Sequence, residues 1–557
     1  MRKISGLLAI GAFTLAPTSA HALTGFYAGS ADGPAVNHAA NVVLMRDGKR
    51  TVLAMENDYV GPVQDFVLVV PVPFVVRKET VRTLPREVFA HLDAVTAPRL
   101  VEYWEQDPCA TTATHPPATP RGSDTLFKPG EAHGVNTDAQ FAVGEYDVVI
   151  LGTKDSAGLD AWLRAAKYKL PTNAETLFRP YVERGMKFFV AKVDPKKVKF
   201  EGGRAILSPL RFSYDAETLE LPLRLGALSS DGSQELVVTI LAKGQRYEAA
   251  NLPNVAIPTN LDLTDAAKAQ FGAFYASLFD RTVEKNPRAA ITEYAWDVTS
   301  CDACTSTALT PSELATLGAD SIPGAVVSCD PPFRIDGDGH KRQKPECLVG
   351  FPKAPEVTRG GGKKSADEHA DDFVMSRLHL RYGKDPLPDD LVFRAGAPLA
   401  GGREIVGPDN TLEHGAQAAK TNHFQARYAV RHAWAGAIAC KEPHRGNWGG
   451  PPPGTKVDAL AKAALEVAFA PHGTSPVDAL VSPASIKDLD GLAIAQPAMP
   501  VKALVADASP DAASASLPTD EAKAGCKACT LQSSSASSSP AGLALLGLAL
   551  LGWRRRR

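Results

Sequence analysis

The most reactive side chains in this chain belong to its eight cysteines, and spacing sorts them into groups. Cys301-Asp302-Ala303-Cys304 has the C-x-x-C spacing of dithiol redox centres and of half a zinc knuckle. A redox thiol is activated at a helix N-terminus, whose partial positive charge favours the thiolate. Here the motif follows a strand-like segment, and the next helix signal comes only at Thr310. A structural bridge is the better reading of that spacing. Cys301, Cys304, Cys329 and Cys347 could together bind zinc through four thiolates, but Cys329 and Cys347 lack the second C-x-x-C. As bridges, Cys329 pairs with Cys347 across a polar, Pro- and Gly-containing segment, and Cys301 pairs with Cys304 on a turn. Elimination then leaves Cys109 with Cys440, although sequence alone does not choose among the connectivities. The last two cysteines, Cys526 (preceded by Gly525) and Cys529, stand apart near the C-terminus.

Other groupings offer less chemistry. His369 lies among Asp367, Glu368, Asp371 and Asp372, beside Lys363-Lys364, and reads as a solvated charge run rather than a metal site. Asp336-Gly337-Asp338-Gly339-His340 begins like a calcium loop but lacks its third acidic position and terminal glutamate. No G-x-S-x-G, H-E-x-x-H or P-loop occurs, so no residue is assigned a catalytic, cofactor-binding or metal-ligating role and no cofactor is expected. His379, His423 and His432 fall in strand-like segments. A pocket where His379, His423 or His432 converges with carboxylates would point to a hydrolase, and scattered histidines would count against it.

The elements that must position these residues are mixed. Asn41–Asn57 reads as a hairpin turned at Asp47-Gly48, since Gly tolerates the positive φ of a tight turn. Phe66–Val70 is the heart of an apolar run long enough for a strand buried on both faces, ended by Pro71. Arg86–Val95 has helical spacing of Phe89, Leu92 and Val95, and Pro98 is expected to open a second helix running to Glu105. The apolar stripe Phe271, Phe274, Tyr275, Leu278 and Phe279 marks a helix whose face is core. Thr310-Pro311-Ser312-Glu313 is a capping box. In 373–382, Val374, Leu378, Leu380 and Tyr382 alternate with Arg377, His379 and Arg381, the period of a strand. Val457–Phe469 reads as a short amphipathic helix. With 45 Gly, 43 Pro and no strict βαβ alternation, the expected class is α+β: β-rich, mostly antiparallel sheets with several short helices and long loops.

The two ends say where the chain goes. Arg2-Lys3, the apolar Ile4–Leu15 and Ala20-His21-Ala22 form a secretory signal, with cleavage expected between Ala22 and Leu23. The body is expected to comprise a β-rich part, 23–260, and an α+β part, 261–500. Residues 501–540 read as a low-complexity linker carrying the Gly-Cys motif, and 541–557 as an apolar segment with an arginine stop. Ala541–Trp553 spans roughly 20 Å as a helix, short of the ~30 Å hydrocarbon core. Arg554–Arg557 resist translocation, which leaves everything upstream outside. A retained transmembrane anchor and a transient sorting signal both fit this order. A net charge of −2 gives no reason to expect nucleic acid or an anionic membrane surface as a partner of the body.

Two resemblances follow from these stretches. The order Gly525-Cys526, Ser-rich spacer, apolar run and arginines resembles the C-terminal sorting signals of myxobacterial surface proteins. That implies processing at Gly525 and Cys526, with the cysteine carrying the surface anchor. Asp65–Pro73, Thr96–Trp104 and Leu378–Arg394 together resemble domain-of-unknown-function family 2330, exported bacterial proteins for which no activity is implied. The resulting expectation is an exported, surface-anchored protein that binds or scaffolds an envelope protein or saccharide. Its partners would include the membrane and the export and sorting machinery. An envelope hydrolase, metal-assisted or not, is the competing expectation.

Overall fold

The computed structural model describes residues 25–494 apart from 30–38, 58, 62–64, 110–139, 153–155, 202–203, 230–231, 299, 301–305, 326–332, 336–340, 344–372, 383–388, 405–411, 453–460 and 474–475. The chain divides into two compact units, 1–509 and 510–557. The described residues all belong to the first.

A twelve-stranded sheet runs through that unit. Its middle is ordered Ala290–Asp297, Phe373–Tyr382, Gln234–Lys243, Ala39–Asp47, Arg50–Asn57 and Leu210–Asp215. Neighbours are antiparallel except Gln234–Lys243 with Ala39–Asp47. The Asp47-Gly48 turn forms as expected, with Gly48 at φ 53°. Strands from both sides of residue 260 therefore share one sheet.

A five-stranded sheet packs against it. Phe66–Val72 lies inside that sheet, antiparallel to Phe26–Gly29 and Lys187–Val193. Phe66, Leu68, Val70 and Val72 meet Leu44, Leu53, Leu236 and Leu378 of the large sheet. Val67 and Val69 face the opposite way, towards Leu159, Leu163 and Phe178 of helices Ser156–Ala165 and Ala174–Glu183. Apolar partners on both sides explain the unbroken hydrophobic run. Pro71 does not end this strand: it pairs with Phe188, and the ladder continues to Val72. What stops short of Pro71 is the pairing to Phe26–Gly29, which ends at Val69.

The other face of the large sheet is covered by helices. Arg86–Thr96 and Pro311–Leu317 lie over one part, and Phe271–Lys285 over another. The Thr310 capping box forms with both of its hydrogen bonds. The architecture is α+β with mostly antiparallel pairing, as the sequence predicts.

Two expected helices are replaced. Arg99–Glu105 is a strand, parallel to Arg427–His432 and antiparallel to Ala461–Ala463 and Trp448–Gly449. Pro98 fits a helix start, but the following Leu-Val-Glu-Tyr-Trp is rich in β-favouring side chains that alternate between two packed faces. Likewise Val457–Phe469 is not one helix. Its described part forms the Ala461–Ala463 strand and a single 3-10 turn, Val467–Phe469. Both segments were open to either period locally, and pairing with distant strands decided them.

Candidate functional site

The densest chemistry lies on the strand Phe373–Tyr382. Leu378, Leu380 and Tyr382 turn into the core between the sheets. Arg377, His379 and Arg381 turn the other way, beneath the helices. All of these except Arg381 are buried. Cations placed there need anions, because an unpaired buried charge costs several kcal/mol.

The fold brings four carboxylates to them. Glu235 comes from the neighbouring strand, in register with Arg381. Glu293 comes from the strand on the other side, at a β-bulge between Thr292 and Tyr294. Such a bulge re-aims a side chain, and Glu293 sits between Arg377 and His379. Its Oε2 accepts from Arg377 Nε at 2.7 Å, and its Oε1 lies 2.8 Å from His379 Nδ1. Tyr275 Oη donates to the same Oε1 at 2.6 Å. Asp93, on helix Arg86–Thr96, accepts from Arg377, while its other oxygen takes the Glu466 backbone N–H at 2.8 Å. Asp280, on helix Phe271–Lys285, accepts from Arg381 at 2.6 Å. A fourth cation, His472, lies 2.8 Å from Asp280 and 3.2 Å from Glu235. Arg381 also donates to Glu235, and His379 Nε2 is 3.1 Å from that carboxylate.

Four carboxylates thus face four cationic side chains in one connected set. Burial alone would push the Glu293 carboxyl up, but His379 and Arg377 hold it at about 2. Glu235 is likewise held well below the usual range against its burial, by His379, His472 and Arg381. Burial would lower His472, yet its hydrogen bonds to Asp280 and Glu235 raise it to about 9. Burial opposes the charge on His379 too, but Glu293 and Glu235 move it up. The Phe279 ring stacks on His379 at 3.7 Å. With a carboxylate at each ring nitrogen and an aromatic ring over one face, His379 has no lone pair directed at a substrate. The arrangement neutralises charge inside the helix–sheet layer.

The other two histidines lie elsewhere. His432 Nε2 is 2.9 Å from Glu102, which also accepts from Lys268 at 2.8 Å, and the His432 ring stacks on Trp104 at 4.8 Å. His423 packs against Trp296, with ring centroids 4.6 Å apart. The three histidines therefore do not converge. A cleft of about 250 Å³ opens between the two large sheets, lined by Leu53, Val72, Met186, Phe212 and Tyr214 and by the polar Asp215, Glu217, Thr218 and Glu220. No histidine lines it.

A third constellation surrounds a disulfide. Cys109 and Cys440 are bridged, with Cα atoms 5.4 Å apart, across 331 residues of chain. This is the pairing that elimination predicted. Beside it, the buried Glu105 carboxylate accepts two hydrogen bonds from Arg445 at 2.7 Å each. It also takes the backbone N–H groups of Gly446, at 2.7 Å, and Trp434, at 2.9 Å. Burial opposes ionisation here too, but Arg445 and the two amides hold Glu105 at about 2. One carboxylate thus ties both ends of the 434–446 loop, and the disulfide ties its middle.

The remaining sequence-predicted positions lie outside the described residues. These are Ala22, Leu23, Cys301, Cys304, Cys329, Cys347, the 336–340 loop, the His369 cluster, Gly525, Cys526 and Cys529. Among the described residues no set of three His, Cys, Asp or Glu side chains is arranged to hold a metal ion. No described helix is long and apolar enough to cross a membrane. Sequence reasoning did not find Asp93, Glu105, Glu235, Asp280, Glu293 or His472. The one available signal was Arg377-x-His379-x-Arg381 inside an otherwise apolar strand, a spacing that demands buried anions once both faces are covered.

Fold and site together define a strand-rich α+β protein stiffened by an internal ion network and a long-range disulfide. The model of a family of uncharacterised proteins conserved in bacteria, DUF2330, matches residues 18–394, and the chain belongs to that family. No curated protein matches it. Among solved structures, the crystal structure of baculovirus P35 is similar at 11% identity, over 38% of this chain and 66% of that one, with a TM-score of 0.20. At that score the likeness carries no argument.

Proposed function

We propose that this protein is exported, held at the cell surface or outer membrane through its C-terminal segment, and binds or scaffolds an envelope component. The observation that carries the reading is the Cys109–Cys440 bridge. Such bridges form and persist in oxidising compartments and are rare in a reducing cytosol. Its agreement with the Arg2–Ala22 signal and the apolar, arginine-ended tail supports export with retention. The binding role is supported by the cleft between the sheets, part apolar and part acidic in lining, and by the loop that the bridge holds out.

Intact-mass analysis of protein released from the surface of the native cells tests this. The expected species starts at Leu23, lacks Arg554–Arg557 and carries an oxidised Cys109–Cys440 pair. Cys526→Ala is expected to release the body to the medium or trap it in the inner membrane, with Cys529→Ala having less effect. A chain that retains Met1 and has free thiols at 109 and 440 would overturn the proposal.

A further inference from the structure

The Trp434–Ala439 loop is held more firmly than its own packing requires. Ala435, Gly436, Ala437, Ile438 and Ala439 are all exposed, and Ile438 is 43% accessible. The Trp434 ring folds back over Gly436, where an added Cβ would come within 2.5 Å of it. The tip therefore exposes an uninterrupted run of non-polar residues, Ala435 to Ala439. Its supports are unusually strong. Glu105 spends its bonds on the Trp434 and Gly446 amides and on Arg445. Cys440 is bridged to Cys109, and the His444 N–H donates to Pro108 O at 2.9 Å. Fixing a loop in advance lowers the entropy lost when it binds. Fixing an apolar tip in water is otherwise only a liability.

We infer that this loop is a membrane-contact element, whose Trp434–Ala439 tip rests in the apolar boundary of a lipid surface. The inference rests on the surface-anchored reading above. Two features favour lipid over a protein partner. Trp434 lies over Gly436, and past it the tip has one large side chain, Ile438, among alanines and glycine, too little relief to interlock with a shaped pocket. It is followed by the exposed Lys441 and His444, interrupted by Glu442, and a lysine there can extend its ammonium to the headgroups while its stem stays in apolar surroundings. The chain beyond residue 494 also ends in a membrane-directed segment, Ala541–Trp553. An anchor in the same chain converts a weak contact into an effectively intramolecular one, so a small apolar tip suffices where alone it would not.

The test is flotation and hydrogen exchange on the full chain reconstituted into vesicles of phosphatidylethanolamine and phosphatidylglycerol. Wild type, Ile438→Asp and, as an exposed control elsewhere, Ile486→Asp are compared. All three are expected to float through the tail. Amides of 433–440 should exchange about tenfold more slowly in wild type and Ile486→Asp than in Ile438→Asp. Ile438→Ser should fall between and guards against a local folding defect. Floating protein with equal exchange in every variant overturns the loop assignment while leaving the anchored reading intact. Failure of wild type to float overturns the anchored reading, and this one with it. Protection seen on intact cells but not on vesicles would assign the tip to a protein and reject lipid.

Discussion

Two carboxylate–arginine assemblies in this molecule use the same chemistry for opposite ends. In the Arg377–His379–Arg381 network every charge is matched within the helix–sheet layer, and an aromatic ring lies over the central imidazole. At Glu105 a single carboxylate gathers one guanidinium and two amides that all belong to an exposed loop. The first fixes how strands and helices stack. The second fixes where a surface segment points. Charge pairing alone therefore does not mark a reactive centre. What matters is whether any lone pair or proton faces open space, and at His379 none does.

The sharpest way to break the comparison is to remove the centre of the inner network. Glu293→Ala leaves Arg377 and His379 short of an anion and is expected to cost about 3–5 kcal/mol of stability, read from urea unfolding. If the network serves packing, the combined Asp93→Asn, Glu293→Leu, Arg377→Met, His379→Leu variant, which removes two anions and two cations together, should regain most of that loss. A variant as unstable as Glu293→Ala would show that the charges do more than fill space.

Next in size is the outer assembly. Replacing both Cys109 and Cys440 by serine is expected to cost about 2–4 kcal/mol. Glu105→Ala should cost about 1–3 kcal/mol through its orphaned donors. Both should speed exchange of the 433–447 amides while leaving those of 374–381 unchanged. Equal acceleration of the two sets would mean that the regions are one cooperative unit.

pH separates the two more gently. His472 is raised from 6.5 to about 9, so its contribution is fully present below about 6.5 and is lost as pH rises through about 9. The expected loss between pH 7 and 10 is about 1–2 kcal/mol and should vanish in His472→Gln. Glu105 behaves oppositely. Depressed from 4.5 to about 2, it contributes fully above about 4.5, and that contribution goes as pH falls through about 2. The smallest expected effect belongs to the exposed helix pair Glu175–Arg179, where Arg179→Ala should leave the urea midpoint unchanged.

The sequence by itself determined the elements whose local pattern admits one solution. The Asp47-Gly48 hairpin, the Thr310 capping box, the aromatic face of Phe271–Lys285 and the doubly buried strand beginning at Phe66, though not its end, all follow from turn chemistry, side-chain capping or hydrophobic period. The α+β class follows from their mixture. The tertiary structure alone decided the segments and contacts whose energies come from distant chain. Arg99–Glu105 is a strand because Arg427–His432, Ala461–Ala463 and Trp448–Gly449 offer it backbone partners. Arg377, His379 and Arg381 read from their alternation as one polar face of a strand, yet that face lies beneath helices carrying Asp93 and Asp280. Glu293 reaches them through a bulge that no periodicity encodes. A side chain's exposure and partners are set by what packs across from it, often hundreds of residues away. The Cys109–Cys440 bridge is the intermediate case: counting cysteines proposed it, and only proximity of the two strand ends could make it.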